Sequence, residues 1–396
     1  MIHWPDGLDA DRFLAEYWQR VALFVPAAFD PWTCPISPEE LAGLACEPEA
    51  ESRLVAGNEA AGWTLRDGPF EESDFISAKD SGWTLLVQDV EKHLPELRSV
   101  LAPFGFLPAW RIDDLMISYA APGGSVGPHV DAYDVFLLQG LGHRNWFLDM
   151  APHDLDCRTD SSLRVLRNFK PDNQISMAPG DMLYLPPGIA HHGVGDEASM
   201  TLSIGFRAPT AGEIVSAAGE VLNRYKPELR YQDPGLGRKE SRGGEIAPQA
   251  LDRNAELLAK AWPLEALIAD EALGRVVTGS KPWLRAGRLM EACGPEQVEA
   301  RLGAGDLLER AAAARFAWTC RDDQVLLFAD GESWRLGSGS EALAARLCDA
   351  NSLDLNALPV AREFRGRVLT VLAELLESGS LEWKEDRMMD KGFRDE

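Results

Sequence analysis

Hydrophobic and polar positions follow a mixed pattern over the first 110 residues. Apolar side chains recur at helical spacing in some segments and at strand spacing in others. Ser37-Pro38-Glu39-Glu40 has the composition of a helix start, with a capping serine, a first-turn proline and two acids. The pattern predicts helices over Asp9–Arg20, from Ser37 and over Pro95–Phe104, and a strand over Gly82–Val87.

Between about Trp110 and Pro209 the pattern changes to short strand-like runs separated by glycine and proline turns. The runs are Asp114–Tyr119, Tyr133–Gln139, Asn145–Leu148, Ile175–Met177, Met182–Leu185 and Met200–Phe206. Many short strands at this spacing are typical of a β-barrel or jelly roll.

After Pro209 the spacing of apolar residues becomes helical. It predicts helices over Ile214–Tyr225 and Ala250–Leu273, with a polar, glycine- and proline-rich loop between them. The last hundred residues have the order of elements of a winged helix. We expect a helix around Glu309, a strand over Phe316–Thr319, a hairpin over Val325–Trp334 turning at Asp330-Gly331, helices over Glu341–Leu347 and Arg362–Leu376, and a strand over Leu381–Trp383.

The predicted fold class is therefore α+β, in three parts. Residues 1–209 form a cupin-like jelly roll with an N-terminal α/β extension. Residues 210–285 form a helical region, and residues 286–396 form a winged-helix-like domain.

Charge narrows the choice of partner. The chain has 39 basic and 63 acidic residues, a net charge of −24, so direct binding of nucleic acid is disfavoured. Residues 290–396 alone carry 13 basic and 21 acidic residues, which favours a protein-interaction role for the winged helix over DNA binding. The acidic surplus is compatible with a basic protein partner, and equally with a role in solubility alone.

The six cysteines are dispersed and contain no C-x-x-C pair, which favours free thiols in a reducing cytoplasm. The N-terminal residues lack the basic and apolar regions of a signal peptide, and no apolar run is long enough to span a membrane. We expect a cytoplasmic protein without membrane association.

The candidate chemistry lies in Gly127-Pro128-His129-Val130-Asp131. On a strand, His129 and Asp131 point to the same face, and together they supply two ligands of the 2-His-1-carboxylate triad that holds Fe(II). A third ligand is available after the Pro186-Pro187-Gly188 turn, where His191 and His192 are adjacent. Neighbouring strand residues face opposite ways, so only one of these two histidines can face the metal.

These motifs resemble a known family. P-G-D-x-L-Y-x-P-P-G-x-x-H, following G-P-H-x-D, is similar to the JmjC-type 2-oxoglutarate oxygenases. D-D-L-M-I-S-Y before G-P-H-V-D-A-Y-D-V-F resembles the bacterial ribosomal oxygenases among them. The similarity extends to I-S-P-E-E-L-A-G-L-A at Ile36–Ala45 and G-F-R-A-P at Gly205–Pro209.

The resemblance implies a role for several residues. His129, Asp131 and His191 would be the metal ligands, and His192 would face away. Arg144, fifteen positions after His129, would pair with the distal carboxylate of 2-oxoglutarate. Two hydroxyl residues, Ser118 and the weaker candidate Ser203, would complete the cosubstrate site.

The resemblance also implies the reaction and the assembly. Fe(II), 2-oxoglutarate and O2 would hydroxylate C3 of an arginine in ribosomal protein sixteen of the large subunit, and the helical region would form a homodimer. The motifs leave two alternatives open: a JmjC oxygenase acting on another protein or on RNA, and a cupin-type metal-dependent regulator without turnover.

Overall fold

The chain is described here by a computed structural model. It covers residues 1–76, 78–152, 154–159, 163–225, 228–232, 246, 248–261, 266–281, 283–284, 293–349, 352–353 and 362–384. These residues fall into two compact units. The first contains the described residues up to Ala208 together with Trp283 and Leu284, and the second contains the others.

The helices of the first unit are short. They are α1 Ala10–Glu16, α2 Pro38–Leu44, α3 Glu72–Ile76 and α4 Val90–His93. Ser37 caps α2 in a complete capping box with Glu40, as its sequence predicted. The helix predicted over Pro95–Phe104 is instead two 3₁₀ segments, Pro95–Val100 and Ala102–Phe104, each with a proline in its first turn.

Twelve strands in the described part of the first unit form two antiparallel sheets. The strands are β1 Leu23–Val25, β2 Ser52–Asn58, β3 Gly62–Asp67, β4 Trp83–Val87, β5 Ile112–Ala120, β6 His129–Val130, β7 Val135–Leu141, β8 Arg144–Asp149, β9 Asn173–Met177, β10 Met182–Leu185, β11 Ala190–Gly195 and β12 Ser199–Phe206. Their orders are β1-β10-β7-β12-β5-β4-β2-β3 and β6-β11-β8-β9. The predicted jelly roll is confirmed, and the N-terminal strands β2, β3 and β4 extend its larger sheet.

The two faces of β12 show how the jelly roll is organised. Met200, Leu202 and Ile204 belong to the main hydrophobic core beneath the larger sheet. Thr201 and Ser203 alternate with them and point to the opposite face, toward the smaller sheet. The polar face of this strand therefore borders the interior of the jelly roll.

The second unit begins with helices. They are α5 Ala211–Tyr225, α6 Pro248–Ala261 and α7 Ala266–Thr278, and α5 packs on α7 through Ala218, Val221, Ile268 and Ala272. The helix predicted over Ala250–Leu273 is represented by α6 and α7, and residues 262–265 between them lie outside the described residues. The loop predicted between the helices lies mostly outside the described residues.

The winged helix follows in the same unit. Its elements are α8 Pro295–Ala304, β13 Leu308–Arg310, β14 Phe316–Arg321, β15 Gln324–Ala329, β16 Glu332–Arg335, α9 Glu341–Asp349, β17 Ser352–Leu353, α10 Arg362–Glu377 and β18 Leu381–Trp383. The hairpin turns at Asp330-Gly331, both at positive φ as a two-residue turn requires.

The helix predicted around Glu309 was wrong. The helical turns end earlier, at Ala304, because Gly305 takes a left-handed C-cap conformation with φ of 99°. Glu309 then lies in β13, which pairs with β17 and β18. Across the described residues, no helix has both the length and the apolar composition needed to cross a bilayer.

Candidate active site

The candidate site begins with two histidines on neighbouring strands. His129 on β6 and His191 on β11 are direct cross-strand partners, with ring centroids 4.3 Å apart. Asp131 follows β6, and its Oδ2 lies 3.6 Å from Nε2 of His191. One ligand atom from each of the three residues lies within 4.8 Å of the others. This donor set fits a divalent first-row metal such as Fe(II) and leaves part of the coordination sphere to other ligands.

The hydrogen bonds of both imidazoles orient them for metal binding. Nδ1 of His129 lies 2.9 Å from the carbonyl of Gly127, and Nδ1 of His191 lies 3.0 Å from the carbonyl of Ile189. A carbonyl only accepts, so each Nδ1 donates, and the atom that each neutral ring offers to a metal is Nε2. Burial lowers the pKa of His191 to about 4, which keeps its ring neutral at physiological pH.

His192 faces away from the metal-binding group, as the alternation of strand residues predicted. Its ring lies between those of Phe147 and Phe169, at centroid distances of 6.2 and 6.0 Å. Burial lowers its pKa to about 4. This environment is that of a neutral packing histidine.

Arg144 on β8 is the buried cation of the site. Its side chain is 3% exposed, and burial lowers its pKa to about 10, so it remains charged at neutral pH. Within the described residues no carboxylate pairs with it. Its Nη1 donates to Ser118 Oγ at 3.0 Å and to Thr201 Oγ1 at 3.1 Å. A buried guanidinium with only neutral partners is a strong binding site for a carboxylate ligand.

Two close contacts limit the position of this guanidinium. The ring of Trp146 lies 5.3 Å from its central carbon. Gly193 on β11 packs so closely that an added Cβ would lie 2.8 Å from the Trp146 ring and 3.0 Å from Arg144 Nε. Glycine is required there for close approach.

The metal-binding group and Arg144 share one cavity of about 590 Å3 between the two sheets. Ser118 and Ser203 line it as well, so the structure brings together every candidate residue from the sequence. Much of the remaining wall is apolar and includes Leu65, Leu86, Met116, Leu137 and Val165. Such a cavity has room for a small dicarboxylate and a substrate side chain.

Thr201 is a residue of the site that no sequence motif indicated. The arginine's hydrogen bonds go to Ser118 and Thr201, which are cross-strand partners on β5 and β12. Thr201 shares the strand face of Ser203, so the alternation on this strand was the signal that could have indicated it.

Comparison with known proteins agrees with this architecture. Residues 99–214 match the JmjC domain family, and residues 269–382 match the ROXA-like winged helix family. The chain is 40% identical over 262 residues to the ribosomal protein uL16 3-hydroxylase of Escherichia coli, an alignment covering 65% of this chain and 66% of that protein. It is 30% identical over 366 residues to a probable ribosomal oxygenase of Haemophilus influenzae, covering 88% of each.

Solved structures give the same result over nearly the whole chain. The X-ray structure of E. coli YcfD superposes with a TM-score of 0.78 and 32% identity, covering 96% of this chain and 99% of that one. The structure of YcfD, described as a ribosomal oxygenase, in complex with cobalt and 2-oxoglutarate has a TM-score of 0.76 and 30% identity, with coverage of 96% and 99%. The chain therefore belongs to the JmjC-domain ribosomal oxygenases.

Proposed function

We propose that this protein is a 2-oxoglutarate- and Fe(II)-dependent oxygenase that hydroxylates C3 of an arginine in ribosomal protein uL16. The observation that carries the proposal is the shared cavity, in which a His-Asp-His group and a buried, unneutralised arginine line the same space. A keto acid with a second carboxylate has the two ends that such a cavity can bind.

The residues have distinct roles in this proposal. His129, Asp131 and His191 hold Fe(II), and Arg144 with Ser118 binds the distal carboxylate of 2-oxoglutarate. When bound, the iron and 2-oxoglutarate supply the oxidising chemistry that transfers one oxygen atom of O2 to a C–H bond. The protein orients the reactants and excludes water with the apolar wall of the cavity.

The substrate assignment draws on the relatives and on charge. A protein that is 40% identical to this chain is a uL16 3-hydroxylase. The net charge of −24 favours approach of a basic polypeptide and disfavours RNA. Both considerations support a basic ribosomal protein as the partner, with the cytoplasm as the compartment.

We further propose that the protein is a homodimer in which α6 contributes to the interface. None of the residues of α6 is buried, and Leu251 and Leu258, seven residues apart on one helix face, are 55% and 60% exposed. Apolar side chains exposed in a row on a helix commonly mark an interface. A second copy of the same helix would cover this face.

Coupled turnover tests the proposed function. The purified enzyme with Fe(II), O2 and 2-oxoglutarate should release succinate faster when uL16 is added than when ribosomal RNA or a histone is added at equal mass. If only the histone stimulated succinate release, the oxygenase activity would be supported but the ribosomal protein would be excluded as the substrate. If no addition produced any succinate, the alternative of a metal-dependent regulator without turnover would be favoured.

A further inference from the structure

A chain of hydrogen bonds lies behind Arg144 and ends at Gln139 on β7. Thr201 is the direct cross-strand partner of Gln139 on one side and of Ser118 on the other. The Thr201 hydroxyl donates to Gln139 Oε1 at 3.1 Å and accepts from Arg144 Nη1 at 3.1 Å. Gln139 and Thr201 are 0% and 1% exposed. Neither residue lines the cavity.

The direction of every bond in this chain is fixed by Gln139. Its Nε2 donates to the carbonyls of Leu141 at 2.9 Å and Gly142 at 3.1 Å. Because these carbonyls only accept, the amide oxygen must face Thr201. The Thr201 hydroxyl hydrogen is then used toward Gln139, and only its lone pairs face Arg144.

This arrangement restrains the guanidinium without neutralising it. Both hydrogens of Arg144 Nη1 are used, one toward Ser118 and one toward Thr201. Nε is buried without a hydrogen-bond partner, and among the described residues Nη2 has no partner either. The N–H groups of Nη2 are therefore left for a ligand carboxylate, and the charge that attracts it is retained.

We propose that Gln139 is a positioning residue for 2-oxoglutarate, acting through Thr201 on Arg144 without touching the cosubstrate. This inference rests on the proposed function, since it assumes that Arg144 binds the cosubstrate. A neutral amide is required at position 139. A carboxylate there would face two carbonyls and would place a negative charge two hydrogen bonds from the guanidinium.

The test measures 2-oxoglutarate binding separately from turnover. The dissociation constant for 2-oxoglutarate is measured anaerobically in Fe(II)-loaded protein by calorimetry, and that for Fe(II) is measured alongside. Thr201→Val keeps the shape of the side chain and removes the hydroxyl, and should weaken 2-oxoglutarate binding by roughly three- to tenfold. Thr201→Ser should restore binding. Gln139→Leu should weaken it similarly, and Gln139→Glu should weaken it more.

Thr84→Val is the matched control. Thr84 is a fully buried threonine of the same sheet whose hydroxyl has no partner in the described residues, so its removal should leave 2-oxoglutarate binding unchanged. In turnover, Gln139→Leu and Thr201→Val should raise KM for 2-oxoglutarate while kcat at saturation and Fe(II) affinity stay close to wild type. The double variant should be little weaker than either single variant, because both remove one chain of bonds.

The inference is overturned if folded Thr201→Val and Gln139→Leu bind 2-oxoglutarate as the wild type does. It is also overturned if Thr201→Ser is as weak as Thr201→Val, since that would assign the effect to packing. Failure of the proposed function is distinguishable, because wild-type protein would then not bind 2-oxoglutarate at all. If Gln139→Leu does not fold, Gln139→Glu decides the question, because it keeps the size of the side chain, and 2-oxoglutarate binding equal to that of the wild type would overturn the inference.

Discussion

His129 and His191 face each other across one rung of the β6–β11 ladder, and each ring is held by the carbonyl of the residue two positions earlier in the chain, just before the strand begins. The register of two strands thus sets the separation of the two nitrogen ligands. A slip of one residue would replace His191 by His192, whose ring packs between aromatic side chains. The metal site is therefore specified by strand pairing as much as by residue type.

The first prediction follows from this register. His129→Ala, Asp131→Ala and His191→Ala should each abolish Fe(II)-dependent decarboxylation of 2-oxoglutarate, because each removes one of three metal ligands. Metal content after gel filtration with Fe(II) should fall in parallel with succinate release.

The adjacent histidine is the control for this prediction. His192→Ala should retain bound iron and most activity, at some loss of thermal stability from the packing between Phe147 and Phe169. Loss of iron from His192→Ala, with iron retained in His191→Ala, would show that the wrong histidine was chosen.

The jelly roll and its metal motif were predictable because each rests on a local pattern. Strand alternation and glycine–proline turns located most strands of the barrel, and the spacing of His129 and Asp131 indicated two of the metal ligands. The choice of His191 over His192 came from the resemblance to the JmjC-type oxygenases. The hairpin at Asp330-Gly331 was equally local. These features depend on residues close in sequence or on a fixed strand period.

The sequence-based predictions failed where contacts between distant strands, or a single residue, determined the local structure. Gly305 ends a helix before Glu309, and no periodicity over a few residues distinguishes the short strand that follows. Thr201 was missed because its role depends on pairing with Ser118 from a distant strand. The hydrogen bond between Thr201 and Gln139 depends on another pairing of distant strands, that of β12 with β7.

The second prediction concerns the charge of Arg144. Burial depresses its pKa to about 10 from an ordinary 12.5, so keeping it charged in the folded apo-protein at pH 7 costs about 3 kcal/mol. Arg144→Met removes that cost but leaves two hydroxyls without their donor. We expect a net rise in the free energy of unfolding of about 1 kcal/mol.

The same substitution that stabilises the apo-protein should weaken the binding of 2-oxoglutarate. 2-Oxoglutarate should raise the Tm of the wild type and leave that of Arg144→Met unchanged, because the variant has no cation for the distal carboxylate. Differential scanning calorimetry with and without 2-oxoglutarate measures both effects. A variant that is still stabilised by 2-oxoglutarate would remove Arg144 from the cosubstrate site.

The third prediction concerns the close approach at Gly193. Gly193→Ala would place a methyl group 2.8 Å from the Trp146 ring and 3.0 Å from Arg144 Nε, so the arginine or the ring must move. We expect destabilisation by about 1–3 kcal/mol and a severalfold rise in KM for 2-oxoglutarate. Gly219→Ala is the control, since an added Cβ on that helical glycine meets no atom within 4 Å. The prediction would be contradicted if Gly193→Ala and Gly219→Ala had the same stability and the same KM for 2-oxoglutarate.

The fourth prediction concerns assembly. If α6 contributes to a dimer interface, Leu251→Glu with Leu258→Glu should convert the protein to a monomer, because two charges would be buried against the partner. Light scattering at micromolar concentration measures the mass, and circular dichroism checks the fold. Val21→Glu, at a 45% exposed apolar residue of the other unit, should remain dimeric. A wild-type protein that is monomeric at this concentration would refute the homodimer.

The last prediction concerns the substrate. The enzyme with Fe(II), 2-oxoglutarate and O2 should add one oxygen atom, about 16 Da, to an arginine of uL16, and tandem mass spectrometry should place it on the side chain at C3. The cavity can accommodate an extended side chain along its apolar wall, and the acidic surface favours a basic polypeptide. A peptide with lysine in place of the target arginine should lose most turnover, because the ammonium group lacks the planar fork of donors. Oxygen found on a histidine would support the oxygenase activity but contradict the assignment of arginine as the modified residue. Succinate release without any hydroxylated uL16 would indicate a different substrate.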